Sequence, residues 1–123
     1  MTARLGRGEL EARVMDALWS ESDWMTPREV RAALKRRPAL AYTTVMTILV
    51  RLWEKGMVDR QRDGRAYAYR PVSGRDEWVA QRMHEMLEDA GNRAAALGHF
   101  AADIDRAEAT QLRRLLDRGT SRR

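Results

Sequence analysis

The side chains best suited to chemistry with another molecule lie in two short stretches of the chain. The first is Tyr42 to Arg51, which holds Tyr42, Thr43, Thr44, Met46, Thr47 and Arg51. The second holds Arg60, Arg62 and Arg65 around an Asp63-Gly64 pair. Threonine hydroxyls donate and accept hydrogen bonds and their methyl groups pack on thymine, so such a cluster suits base edges and phosphates alike. Met46 offers an apolar contact of the same kind. Guanidinium groups match phosphate oxygens as a planar fork of donors, and Arg51 stands where a backbone phosphate is a better partner than a base. The bland alternative for the three later arginines is a charged edge that keeps a short sheet from pairing with other chains.

The elements that must hold these residues follow from spacing. Leu10, Val14, Ala17 and Leu18 recur on one helical face, with Trp19 extending it, which predicts a first helix over Glu9 to Ser20. After a polar loop, Glu21 to Met25, comes Thr26-Pro27-Arg28-Glu29, a capping box with proline at the first helical position. The helix that it opens carries Val30 and Leu34 inward to about Lys35, and Pro38 ends it before a turn over Ala39 to Ala41. A third helix starts at about Tyr42, with Thr43 and Thr44 as cap residues. Val45, Ile48, Leu49 and Leu52 form its buried stripe, and Gly56 stops it. Thr44, Thr47, Arg51, Glu54 and Lys55 occupy its opposite face.

Met57 to Arg62 then reads as a strand, Asp63-Gly64 as a type I′ turn, and Arg65 to Val72 as the partner strand, with Tyr67 and Tyr69 sharing a face. Helix, helix, helix, hairpin is the order of a winged helix-turn-helix. In that fold the helix after the turn enters the major groove, and the hairpin arginines lie beside the duplex. The predicted fold is mainly α with a small β-hairpin wing, followed by a helical arm.

Ser73-Gly74 reads as the linker, giving a DNA-binding domain over residues 1–74 and a helical region over 75–123. The arm is expected to hold three helices. Val79, Met83, Met86, Leu87 and Ala90 stripe the first, from Arg75 to Ala90, with Trp78 beside them; Ala96, Leu97 and Phe100 stripe the second, after Gly91-Asn92. Asp105 to Glu108 caps the third, which presents Leu112, Leu115 and Leu116 and ends at Gly119 before a frayed tail. A segment this short cannot bury such stripes alone. They must pack on the winged helix or on an identical chain, and the expected role of the stripe residues is dimerisation.

Composition narrows the function classes. The chain has 123 residues and a net charge of +5. Residues 1–75 hold 15 Lys+Arg against 9 Asp+Glu, a balance of +6, and residues 76–123 hold 8 against 9, a balance of −1. A one-sided positive field attracts polyanions. Cysteine is absent, which excludes disulfides, thiolate metal sites and cysteine nucleophiles. His84 and His99 are too far apart in sequence for a zinc pair, so no metal and no cofactor is expected. Nor is there a Ser-His-Asp arrangement or a glycine-rich phosphate loop, so an enzyme is not expected. Without an apolar run of about 20 residues or a hydrophobic signal core in Met1 to Gly8, the expected location is the cytoplasm, with no membrane insertion.

The segment Ala41-Tyr42-Thr43-Thr44-Val45-Met46-Thr47-Ile48-Leu49-Val50-Arg51-Leu52, then Lys55-Gly56 and Asp63-Gly64-Arg65-Ala66-Tyr67-Ala68-Tyr69, resembles the BlaI/MecI family of penicillinase repressors. So do Leu10-Glu11, Val14-Met15 and Leu18-Trp19 of the first helix, Thr26 with Glu29-Val30, and the helical arm. The resemblance implies a homodimer that binds double-stranded DNA at an inverted-repeat operator and blocks transcription of β-lactam resistance or related genes. It also implies release by a membrane sensor protease system acting indirectly, with cleavage of the arm at His99-Phe100. Two other readings stay open from the residues. One is a winged-helix regulator whose arm holds a small ligand among Trp78, Met83, Met86 and Phe100. The other is a protein-interaction module without DNA.

Overall fold

The computed structural model describes residues 6–21, 23–34 and 40–121. Its elements are α1 (Arg7–Glu21), α2 (Pro27–Ala33), α3 (Tyr42–Glu54), β1 (Val58–Asp63), β2 (Ala66–Pro71), α4 (Arg75–Asp89), α5 (Arg93–Asp103) and α6 (Arg106–Ser121). The chain is a winged helix-turn-helix followed by three further helices. The helix end read over Lys35 to Pro38, the first residue of the turn read over Ala39 to Ala41, and the terminal pair Arg122-Arg123 lie outside the described residues. Among the described residues no helix is long and apolar enough to cross a membrane.

The core of the winged helix is built from the expected faces. Val14, Met15, Leu18, Val30, Val45, Ile48, Leu49, Leu52, Val58 and Tyr69 are buried together, so α1, α2, α3 and the hairpin each contribute one apolar stripe. Thr26 caps α2 as its sequence requires: Thr26 Oγ1 accepts from the Glu29 N–H, and the Thr26 N–H donates to Glu29 Oε1. Helix α3 departs from expectation at its start. Its N-cap is Ala41, with no side-chain hydrogen bond, and Thr43 and Thr44 lie inside the first turn. This frees both threonines from a capping role. At the other end Gly56 takes a φ of 78°, the left-handed geometry that stops a helix.

The hairpin turn is one residue later than its Asp-Gly signal suggests. Asp63 pairs with Ala66 and closes the ladder, so the loop is Gly64-Arg65, with Gly64 at a φ of 67°. Glycine at the first loop position supplies the positive φ that two-residue hairpin loops need, and the shift puts Arg65 at the wing's tip. The loop before α2 adds a third, single-residue strand: Met25 and Tyr69 exchange backbone hydrogen bonds of 2.8 and 2.7 Å.

Ser73-Gly74, read as a linker, is tied down at Ser73. Trp19 Nε1 donates to the Ser73 carbonyl at 2.9 Å, and Ser73 is buried. Trp78 then packs edge-on against Trp19, with ring centroids 6.2 Å apart, and Arg75 pairs with Asp16 at 2.8 Å. The first half of α4 therefore belongs to the winged helix. The two compact units divide between Arg82 and Met83, inside α4.

A buried ion pair fastens α1 to the end of α3. Lys55, the C-cap of α3, places Nζ 2.9 and 3.1 Å from the two oxygens of Glu11. The Glu11 side chain is 2% exposed and that of Lys55 21%. Lys55 thus serves the core rather than the open face of α3. Removing the ammonium takes the paired charge away from a carboxylate that is buried from water, so Lys55→Met is expected to cost about 2–3 kcal/mol. Thermal denaturation should show Tm lowered by roughly 10–20 °C; an unchanged Tm would mean that the pair does not stabilise the fold.

In the second unit, Asn92 caps α5 by accepting from the Ala95 N–H, and Asp105 caps α6 by accepting from the Glu108 N–H at 2.7 Å. Helix α6 passes through Gly119 instead of ending there, because Gly119 does not take the left-handed geometry found at Gly56 and Gly64. From Gly74 to Gly119 no residue is buried.

Candidate nucleic-acid interface

With Val45, Ile48, Leu49 and Leu52 turned into the core, α3 leaves the rest of its circumference open. Tyr42, Thr43, Met46 and Thr47 are exposed there, and Thr44 and Arg51 are half-buried along the edge of that strip. The strip therefore runs through the first two turns, the part of such a helix that meets base edges. Thr47 Oγ1 donates to the Thr43 carbonyl at 2.9 Å. Its proton is engaged, so toward an outside partner Thr47 is chiefly an acceptor, suited to an adenine or cytosine amino group.

Arg31, to which the sequence assigned no role, sets where α3 begins. Its Nε donates to the Leu40 carbonyl at 2.9 Å, joining α2 to the residue just before the N-cap of α3. The only sequence signal for it is a charged residue on a short helix, which is too common to single out.

The three hairpin arginines fall into two kinds. Arg62 and Arg65 are exposed on β1 and at the tip. Arg60 is half-buried, with its guanidinium against the rings of Trp53 and Tyr67 at 3.7 and 4.1 Å. Trp53 went unremarked in the sequence because it stands at the edge of the apolar stripe, four residues after Leu49, where an aromatic ring reads as ordinary packing. On the far strand Arg70 stacks on Trp24 at 4.5 Å.

The residues assigned to the arm divide as well. Trp78 is half-buried against Trp19 and packs with the winged-helix core. Val79, Met83, Met86, Leu97, Phe100, Leu112, Leu115 and Leu116 are exposed, and Leu87 is half-buried. His99 and Phe100 are exposed in the middle of α5. Among the described residues no group of three or more His, Cys, Asp or Glu is placed to hold a metal ion. Two open clefts, of about 460 and 690 Å³, are lined by residues between Trp19 and Val72, and by none of Trp78, Met83, Met86 and Phe100.

The penicillinase repressor family profile matches residues 7–118. The transcriptional regulator BlaI of Mycobacterium tuberculosis is 52% identical over 118 residues, covering 93% of this chain and 86% of the relative. The penicillinase repressor of Bacillus licheniformis is 28% identical over 79 residues, covering 64% and 61%. Among solved structures, the monomeric form of Bacillus licheniformis BlaI in complex with the blaP half-operator is 25% identical, with a TM-score of 0.46, covering 63% of this chain and 90% of that one. A match along nearly the whole chain, together with more than half identity to one regulator, shows that this protein belongs to the penicillinase repressor family of DNA-binding transcriptional regulators, which are not enzymes.

Proposed function

We propose that the protein is a homodimeric, sequence-specific repressor whose two α3 helices enter major grooves of an inverted-repeat operator about one or two helical turns apart. The observation that carries this reading is the exposed strip Tyr42, Thr43, Met46 and Thr47 on a helix whose other side is locked into the core, with Arg62 and Arg65 exposed on the adjoining wing. Met83, Met86, Phe100, Leu115 and their neighbours, exposed on the arm, are the surface through which two chains pair. An isologous interface covers the same patch on both copies at once.

The regulated genes are those of β-lactam resistance or a related response, and release is by proteolysis in the arm. The His99-Phe100 bond lies within α5, so cleavage there requires local unwinding of that helix first. Losing the chain from Phe100 onward would strip α6 and its leucines from the dimer.

The experiment selects DNA from a genomic pool with the purified protein and then compares Thr47→Ala with Arg62→Ala on the recovered sites. Thr47→Ala is expected to change base preference at one position per half-site by about 1 kcal/mol, roughly fivefold. Arg62→Ala is expected to weaken all sequences alike. Selection of no DNA at low salt, or equal effects of the two substitutions on preference, would overturn the reading and favour a protein-docking module.

A further inference from the structure

Trp53, Arg60 and Tyr67 come from three different elements and meet in one stack. Trp53 is in the last turn of α3, Arg60 on β1 and Tyr67 on β2. In the hairpin register Arg60 faces Tyr69 and Arg62 faces Tyr67, so all four share one side of the ribbon. The Arg60 guanidinium lies 3.7 Å from the Trp53 ring centre and 4.1 Å from that of Tyr67, and the Arg62 guanidinium lies farther off, 5.5 Å from the Tyr67 ring centre. A guanidinium holds all its N–H groups in its plane, so it can lie against two rings and still keep its edge solvated.

The stack bridges the joint where the wing leaves the recognition helix. Between Trp53 and Arg60 the chain turns at Gly56, whose φ of 78° marks the change of direction. Beyond it lies a two-stranded ribbon, a structure with little stiffness of its own. Trp53 is 40% exposed, and nothing in the core requires an indole there. We propose that Trp53, Arg60 and Tyr67 clamp the wing to α3, making Trp53 and Arg60 positioning residues for the DNA contacts of Arg62 and Arg65. The clamp rests on the operator-binding reading above. It assigns Arg60 a different task from its two neighbours: it sets the wing's angle, and they touch the phosphates.

A double-mutant cycle on the full-length protein tests this, with a duplex recovered by the genomic selection as probe. Arg62→Ala is expected to weaken binding about tenfold in the wild-type background and less than about twofold in a Trp53→Ala background, because an unclamped wing no longer presents Arg62. Trp53→Ala alone should weaken binding more than about tenfold, since it costs the Arg62 and Arg65 contacts together, and Trp53→Phe should restore most of it by keeping a ring under Arg60. Arg60→Lys keeps the charge and loses the planar stack, so it should behave like Trp53→Ala; it also carries the same cycle if Trp53→Ala does not fold. An equal Arg62→Ala effect in both backgrounds, or wild-type binding by Arg60→Lys, would overturn the clamp. Arg62→Ala without effect in the wild-type background would instead remove the wing from the operator-binding reading, and the clamp with it.

Discussion

A protein cut after Arg82 is expected to bind its operator about 10²- to 10⁴-fold more weakly than the full chain while keeping a folded winged helix. The cut falls at the boundary between the two compact units and leaves Trp78 on Trp19 and Arg75 on Asp16. A cut at Gly74 would strip both contacts and confuse lost folding with lost pairing. The size of the effect comes from linkage. Once one half of a dimer is bound, the second half meets its half-site at the effective concentration set by the arm, so separating the halves removes avidity without touching a DNA contact.

Point substitutions in the arm should give the same result without deletion. Phe100 and Leu115 are 50% and 51% exposed in the single chain, so glutamate at either position costs the monomer little. In a dimer interface the same glutamate must be desolvated without a partner. Sedimentation of Phe100→Glu and Leu115→Glu should show monomers at concentrations where the wild type is dimeric, with operator affinity falling in step. Undiminished binding by the protein cut after Arg82 would end the tethering argument.

What the sequence makes legible here is whatever depends on a period or a cap. The stripe Val45, Ile48, Leu49 and Leu52 is buried because three- and four-residue steps leave a helix no other arrangement, and Thr26 with Glu29 can hardly do anything but start α2. Contacts between elements have no such signature. The Met25 to Tyr69 bridge is one residue long, too short for any alternation to show. Glu11 stood at a core position, three and four residues before Val14 and Met15, and its charge hid the fact that Lys55 would come to meet it. Arg60, Arg62 and Arg65 look alike as a sequence; Trp53, on another element, is what sets Arg60 apart. The turn slipped by one residue because an Asp-Gly pair fixes where glycine must be, and glycine at either loop position can satisfy a hairpin.

The second large effect is on salt. Among the described residues, Arg51, Arg62 and Arg65 are cations placed beside or beyond the base-reading strip, and none is held in the core. Three such contacts per subunit make about six per dimer. Each releases a condensed counterion, for a slope of log affinity on log salt of roughly −5. Raising salt from 50 to 200 mM should then weaken operator binding about 10³-fold. Because Arg60 lies against two rings and holds the wing, Arg60→Lys should lower the dimer's slope by up to about 4 through the lost Arg62 and Arg65 contacts, whereas Arg65→Ala, at the tip, should lower it by about 2. A titration series in potassium chloride on the selected duplex measures both. A flat response would mean that phosphates contribute little, and the positive balance of residues 1–75 would then need a different partner.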